Sequence, residues 1–365
     1  MKNPTRSYPI LLFTALSLCA VQPLDVLAER LVLVAGGGTS TAEGVKASDA
    51  KLDTPFGVDF DKAGNLYFVE LNGHRVCRVD SRGIFTVVAG NGIKGDVGDG
   101  GPARSAQFNG MHNLAIALND DIFVSDTWNN RVRKIEARTG RISTVAGTGE
   151  RGFSGDGGLA TKAKFGNIYC VSLDPTGEHL FLADLDNRRI RAIHLKTGIV
   201  KTVAGNGEKG VPKDGADAVN APLVDPRAVA ANAAGEVFIL ERSGNALRVV
   251  DRGGRIRTVA GTGAKGASGD GGDARMATLN GPKHLCFDLQ GNVIIADAES
   301  HIIRKYLPRE GRIVRVAGNG TKGMNGLNGP PEEAELSQPH GVYVHRDGTL
   351  YIADSSNGRV LKIVQ

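Results

Sequence analysis

The sequence predicts an all-β chain folded as a six-bladed β-propeller. Each blade has four antiparallel strands, and the N-terminal strand completes the last blade to close the ring. Three observations lead there. Val-Ala-Gly starts at Val34, Val88, Val145, Val203, Val259 and Val316, so a unit of 54–58 residues recurs along the chain. Such a period is read before anything else because it sets the architecture. Each unit holds four short strand-like segments and a Gly-rich loop, which is the content of one blade. Finally, the two ends are complementary. The last unit stops at Leu361-Lys-Ile-Val-Gln365 without its closing segment, and a spare copy stands at Arg30-Leu-Val-Leu-Val-Ala-Gly36. A strand missing at one end and spare at the other is what ring closure requires, since closure pairs the edges that an open stack leaves bare.

The strands follow in order, lettered a to d from the hub outward. In blade one, strand a is Gly57-Val-Asp-Phe-Asp61, and the turn Lys62-Ala-Gly64 leads to strand b, Asn65-Leu-Tyr-Phe-Val-Glu70. The other b strands, such as Ile122-Phe-Val-Ser-Asp126 and Val293-Ile-Ile-Ala-Asp297, are apolar on consecutive residues, as expected of strands buried on both faces. Strand c alternates, as in Arg131-Val-Arg-Lys-Ile135 and Arg189-Ile-Arg-Ala-Ile193, which predicts one wetter face. Strand d is the Thr-Val-Ala-Gly segment at the rim. The blades are expected at about 54–90, 107–147, 165–205, 224–261, 279–318 and 336–365 plus 30–36, together one domain over 29–365.

Residues 1–28 read as a secretory signal peptide. Lys2 and Arg6 precede an apolar run from Ile10 to Val21, and Val26-Leu-Ala28 offers small residues for cleavage before Glu29. The run is too short to span a bilayer. Cys19 sits in a poor lipoprotein context, because Leu18 stands where a small residue is wanted. The expected product is secreted or periplasmic, monomeric and without membrane insertion. Its formal charge falls from +5 to +4 once Lys2, Arg6 and Asp25 are gone. That mild, interspersed balance does not indicate a nucleic-acid protein, and no nucleic-acid partner is expected. Fifty glycines without a three-residue period exclude collagen and mark turns. Cys77, Cys170 and Cys286 fall in blades one, three and five, which are not ring neighbours, so they are expected as unpaired small hydrophobes.

Blades such as Asp126-Thr-Trp-Asn-Asn-Arg-Val-Arg-Lys-Ile135, with Pro339-His-Gly-Val342 and Gly348-Thr-Leu-Tyr-Ile-Ala-Asp-Ser-Ser-Asn-Gly-Arg-Val360, resemble NHL repeats. The resemblance covers essentially all of 29–365 and implies the six-bladed propeller. It implies no single function, since similar propellers serve as protein-binding sensors, RNA-binding modules and, in amidating lyases, enzymes.

Antiparallel order brings three sets of residues to one face of the disc. The first set stands just before strand a in each blade: Phe56, His112, Tyr169, Arg227, Lys283 and His340. The repeat requires no one residue type there. Two readings fit: channel plugs that solvate the rim, or a recognition surface for a ligand. His284, one place further along, adds an imidazole nearby. Three histidines invite a metal, and the resemblance to amidating lyases implies ligands from alternating blades. At those positions blades two, four and six carry His112, Arg227 and His340, and a guanidinium cannot coordinate a metal. No metal and no cofactor are expected. Five further histidines, His74, His179, His194, His301 and His345, show no pattern and read as surface or turn residues.

The second set is the acid that ends strand b: Glu70, Asp126, Asp184, Glu241, Asp297 and Asp354. Arg75, Arg131, Arg189 and Arg359 stand five residues later and are expected to pair across the b–c turn. Blades four and five carry Ala246 and Ile302 there, which would leave Glu241 and Asp297 freer. The third set is the Gly-rich loop, for example Gly98-Asp-Gly-Gly-Pro-Ala103, whose Asp-Gly pairs favour positive-φ turns.

The function expected from these features is a non-catalytic ligand- or protein-binding module working through the strand-a face. Its partner would be a protein or a small anionic ligand held by Arg227, Lys283 and Tyr169. Two alternatives stay open: a metal-dependent lyase or hydrolase in the central channel, and a structural scaffold of an envelope assembly.

Overall fold

The computed structural model describes Met1, Pro4 and residues 28–365. The signal-peptide expectation and Cys19 fall on residues outside these. Among the described residues, no helix is long and apolar enough to cross a membrane.

Six antiparallel sheets form the ring, each a blade with strands in the order a-b-c-d. Blade two shows the plan, with strands Leu114–Ile116, Ile122–Asp126, Arg131–Ile135 and Ile142–Ala146. The ring closes as the chain ends suggest. Arg30–Gly36 pairs with Arg359–Val364 of the last blade, from Arg30↔Val364 to Gly36↔Arg359, with a shift in register between Leu33 and Ala35. Blade four differs by a fifth, two-residue strand, Ala216–Asp217, added outside its strand d.

Burial follows position in the ring. Strand b is buried along its whole length in blade two, as in most blades, because each blade lies between two others. Strand a lines the axial channel, and strand d meets solvent at the rim. The core is a set of clusters that fill the spaces between blades, such as Phe56, Val69, Phe108, Met111 and Val124 between blades one and two. Hydroxyls clasp neighbouring blades: Thr127 Oγ1 donates to the Ile168 carbonyl at 2.8 Å, and Ser355 Oγ to the Pro55 carbonyl at 2.7 Å.

Strand c departs from the expected wet face. Arg133, Arg191 and Arg304 are fully buried, and Arg248 is 3 % exposed. Each stands seven residues after the acid that ends strand b, and this corrects the expected pairing. Glu70–Arg75 and Asp354–Arg359 do pair at the five-residue spacing, both at 2.7 Å. In blades two to five the seven-residue partner takes the acid instead. The contacts are Asp126–Arg133 at 3.5 Å, Asp184–Arg191 at 3.5 Å, Glu241–Arg248 at 2.8 Å and Asp297–Arg304 at 3.6 Å. Glu241 and Asp297 are therefore not free acids. Arg131 and Arg189 turn outward; Arg189 lies over the Phe153 ring at 3.7 Å.

The reason is register. Asp126 lies directly opposite Arg131, and Val124 opposite Arg133, so Arg131 and Arg133 share the acid's face of the hairpin. A long side chain reaches a diagonal partner as well as a direct one. The turn that sets this register is one 3-10 turn, Thr127–Asn129, closed by Asn130 at φ 53°. The same left-handed position is filled by His74, Arg188, Asn245, His301 and Gly358 in the other blades.

The Gly-rich loops complete the cages. Asp99, Asp156 and Asp270 meet Arg133, Arg191 and Arg304 at 2.7, 2.7 and 2.8 Å. The Asp-Gly turns have the expected positive φ, 78° at Gly100 and 81° at Gly157. A Cβ at Gly98 would lie 2.6 Å from the Ala106 Cα, so only glycine lets the loop fold this tightly on itself. Burial pushes the carboxyls of Asp126 and Asp184 up to about 6 and that of Asp297 up to about 7, against the pull of their hydrogen-bond donors and arginines.

Among the described residues, Cys77, Cys170 and Cys286 form no disulfide. The first two are buried. Cys286 is half-buried and lines the axial channel.

Candidate functional site

The six residues just before or at the start of strand a converge at one mouth of the channel. The backbone aims two of them by an irregularity. Pairing jumps from Ile168 to Cys170 in blade three and from Pro226 to Ala228 in blade four. Tyr169 and Arg227 are the extra residues of these bulges, and a bulge re-aims the side chain it leaves unpaired.

Contacts run round much of the mouth. The Phe56 ring stacks on His340 with centroids 4.1 Å apart and meets His112 edge-on at 5.3 Å. His112 meets Tyr169 at 4.5 Å. The Arg227 guanidinium lies 4.1 Å from the centroid of the Tyr169 ring. Lys283 stands on the far side of Arg227, in blade five. One expectation needs correction here: Lys283 is not a free cation, because its Nζ meets Glu299 at 2.9 Å and its side chain is only 12 % exposed.

Arg227 has no such partner. It is 5 % exposed, and among the described residues it makes no ion pair and no side-chain hydrogen bond; its Nε is buried and unsatisfied. Burial lowers its pKa to about 10, which still leaves it charged at neutral pH.

Both mouth histidines present a free lone pair. His112 Nδ1 lies 2.7 Å from the Gly110 carbonyl, and His340 Nδ1 lies 2.6 Å from the Gln338 carbonyl. A carbonyl only accepts, so each Nδ1 carries the proton and each Nε2 is bare. Burial, then the charge of Arg227, holds both imidazoles well below the usual histidine range. The mouth is thus neutral imidazole, aromatic faces and one unpaired guanidinium.

His284 does not join this ring. It lies deeper, where its Nε2 accepts from Asn113 Nδ2 at 2.7 Å. Blades two and five carry these residues, so the contact bars the channel across its width. Beyond the bar a cavity of about 300 Å³ continues, lined by strand-a residues such as Asp59, Ser172, Ala230, Cys286 and Tyr343. Asp59 accepts the amides of Phe60 at 2.7 Å and Ile116 at 2.8 Å, and burial raises its pKa to about 6.

Sequence reasoning passed over the b–c turn residues that rim the mouth. Trp128 meets His112 edge-on at 5.7 Å, Glu299 holds Lys283, and Arg242 pairs with Asp225 at 2.8 Å. The signal was present: these residues stand one or two places after the acid of strand b, which ends on the same face. Of the other histidines, His74 and His301 occupy the left-handed turn position. No group of three or more His, Cys, Asp and Glu side chains among the described residues is placed to hold a metal.

Comparison with known proteins agrees with this architecture. The NHL repeat profile matches residues 336–363. Protein SUPPRESSOR OF QUENCHING 1, chloroplastic, of Arabidopsis thaliana is 27% identical over 333 residues, covering 86% of this chain and 31% of that protein. NHL repeat-containing protein 2 of Bos taurus is 26% identical over 312 residues, covering 75% of this chain and 42% of that protein. The chain therefore spans from about a third to less than half of the length of these curated relatives. Among solved structures, an auxiliary nutrient binding protein from Bacteroides thetaiotaomicron superposes with a TM-score of 0.67 at 15% identity, covering 92% of this chain and 76% of that one. Repeat, closure and neighbours agree: the chain folds as a six-bladed propeller whose last blade matches the NHL repeat, and it is similar to NHL repeat-containing proteins.

Proposed function

We propose that this chain is an exported, non-catalytic binding module that takes an anionic ligand at the channel mouth on the strand-a face. One observation carries the reading: Arg227 is buried, charged and, among the described residues, without an ion-pair partner. An uncompensated buried charge costs several kcal/mol. Among the described residues, every other deeply buried arginine, Arg133, Arg191, Arg248, Arg304 and Arg359, has its carboxylate. A ligand carboxylate or phosphate supplies what Arg227 lacks, and a guanidinium can hold it through two parallel hydrogen bonds. Tyr169 keeps the guanidinium in plane, and the two Nε2 atoms are proton acceptors beside it. Export rests on the leader-like first 28 residues, and a solved nutrient binding protein of the same fold is a precedent for ligand capture.

The test is titration of the purified protein with acetate, glutarate and inorganic phosphate, following the histidine ring signals by NMR. Arg227→Leu should weaken binding at least tenfold. The double change Lys62→Ala and Arg346→Ala, in turns on the opposite face, should leave it unchanged. Equal binding by both variants would remove the site from this mouth.

The pH dependence has a definite sign. Without ligand, His112 and His340 resist protonation, so the unfolded chain takes up protons first and stability falls as pH drops through about 6.5. A bound anion neutralises Arg227 and raises both pKa values, so binding takes up protons. Affinity for acetate, which stays mostly ionised over this range, is therefore expected to rise as pH falls from about 8 towards 5. Affinity that falls over that range would contradict the arrangement.

The two bare Nε2 atoms favour a second reading, a metal-dependent enzyme at the same mouth. Purified protein is expected to carry less than about one equivalent of zinc, since Arg227 stands where a further ligand would be needed. Stoichiometric zinc that is lost in His112→Ala would favour the enzyme.

A further inference from the structure

Outside the hub, the Gly-rich loops repeat a second feature. Lys94, Arg151, Lys209, Lys265 and Lys322 occupy one register position, each in a parallel bridge to the residue that leads into the next blade: Phe108, Phe165, Leu223, Leu279 and Leu336. All five are exposed. Asn129, Asn187 and Asn357 of the b–c turns donate to the carbonyls of Gly95, Gly152 and Gly323, one residue after three of these cations. That contact fixes the loops on the same face as the hub. The result is a crown of five cations around the mouth that holds Arg227, broken at Ser40, which fills the equivalent bridge in the N-terminal loop. Arg151 is paired with Asp186 at 2.8 Å; the four lysines make no ion pair among the described residues.

The same loops expose apolar side chains. Phe153, Val211 and Met324 follow their cation by two residues and are 42%, 67% and 54% exposed, and Val97 is 56% exposed. They pack on no core, and their recurrence in successive loops is not the scatter of single surface apolar residues.

We propose that this crown is the docking surface for an acidic polypeptide that also carries apolar side chains, one of whose carboxylates enters the hub beside Arg227. The proposal rests on the anion reading of the hub. Three features choose a polypeptide over other polyanions. Apolar groups interleaved with the cations match mixed acidic and apolar side chains, not a sugar or phosphate backbone. One face of the Phe153 ring is already taken by Arg189, which leaves less of it for a base to stack on. Glu208 stands next to Lys209, and Glu150, paired with Lys164 at 2.6 Å, next to Arg151; acids set among the cations suit carboxylates spaced along a peptide better than a continuous line of phosphates.

The experiment uses a fluorescent peptide of about 12 residues alternating Glu with Leu and Gly, about 40 Å when extended. Binding is measured by anisotropy as a function of salt, beside acetate binding at the hub. Combining Lys94→Ala, Lys209→Ala, Lys265→Ala and Lys322→Ala should weaken the peptide at least tenfold and flatten its salt dependence, with acetate binding unchanged. Combining Phe153→Ser, Val211→Ser and Met324→Ser should weaken the peptide at least threefold at constant salt slope. A wild-type protein that binds acetate but not the peptide overturns the crown and leaves the hub reading. One that binds the peptide but not acetate overturns the hub reading and leaves the crown. An oligouronate or oligonucleotide of equal charge that binds more tightly than the peptide overturns the choice of partner.

Discussion

Removing residues 30–36 is expected to leave the protein insoluble, or folded with a much lower denaturation midpoint. Those residues are the whole of strand d in the last blade and pair with Arg359–Val364 along its length. Without them the sheet ends at strand c, with a bare row of amides and carbonyls, and such an edge templates pairing with other chains. Apolar burial goes as well. Leu31 and Ala35 are fully buried, and Leu31 packs with Ile352, Leu361 and Ile363. Burying one Leu is worth about 1.5–3 kcal/mol, before any loss from the exposed neighbours. The whole stability of a domain is only about 5–15 kcal/mol, so the loss is a large share of it. Soluble yield and a urea melt check this. A synthetic Arg30–Gly36 peptide added during refolding should recover soluble protein. A truncated chain that melts like the wild type would remove ring closure as a source of stability.

Arg133→Met should destabilise the protein by about 3–5 kcal/mol, the usual consequence of removing one partner of a buried ion pair. Arg133 is fully buried between Asp99 at 2.7 Å and Asp126 at 3.5 Å, with the Phe108 ring 5.4 Å away. The change strands the carboxylate of Asp126, which is itself fully buried. Adding Asp126→Asn removes that charge while keeping an acceptor for the Asn109 amide, now 2.7 Å from Asp126 Oδ1. The double variant should regain at least half of the loss, because neutralising both partners avoids the stranded charge. Arg131→Met, one turn of the same hairpin away, should cost less than about 1 kcal/mol, as expected of a half-exposed cation whose nearest acid is 3.9 Å off. Urea midpoints of the three variants check the ranking. Equal losses from Arg131→Met and Arg133→Met would overturn the seven-residue pairing.

Much of the fold was legible because it repeats. Val-Ala-Gly at a steady interval marks the units, and Arg30-Leu-Val-Leu-Val-Ala-Gly36 states that the ring closes through the N-terminus. The phase of the repeat also placed Phe56, His112, Tyr169, Arg227, Lys283 and His340 at one level, and in the structure Phe56, His112, Tyr169, His340 and Arg227 are in contact with one another in sequence round the mouth. The pairing of acids with arginines was misread for a local reason. Arg131 and Arg133 lie on one face of strand c, so both spacings are allowed by sequence. An arginine is found at one or other spacing in every blade: Cys77 and Leu361 leave only the nearer in blades one and six, and Ala246 and Ile302 only the farther in blades four and five. Read together, the two positions reveal the clamp.

By itself the sequence determined the blade count, the closing strand and which side chains face the hub, because each depends on period and phase along one chain. Tertiary structure decided which charges are spent and which remain. Glu299 reaches Lys283 from the b–c turn of its own blade, Asn113 and His284 meet across the channel from blades two and five, and Asp99 folds back from a loop onto Arg133. These partners come from separate segments brought together by the closing of hairpins, loops and the ring, so no spacing records them. The unpartnered state of Arg227 is of the same kind: a missing contact is a property of the assembled surroundings, and only the closed ring shows that no acid among the described residues pairs with it.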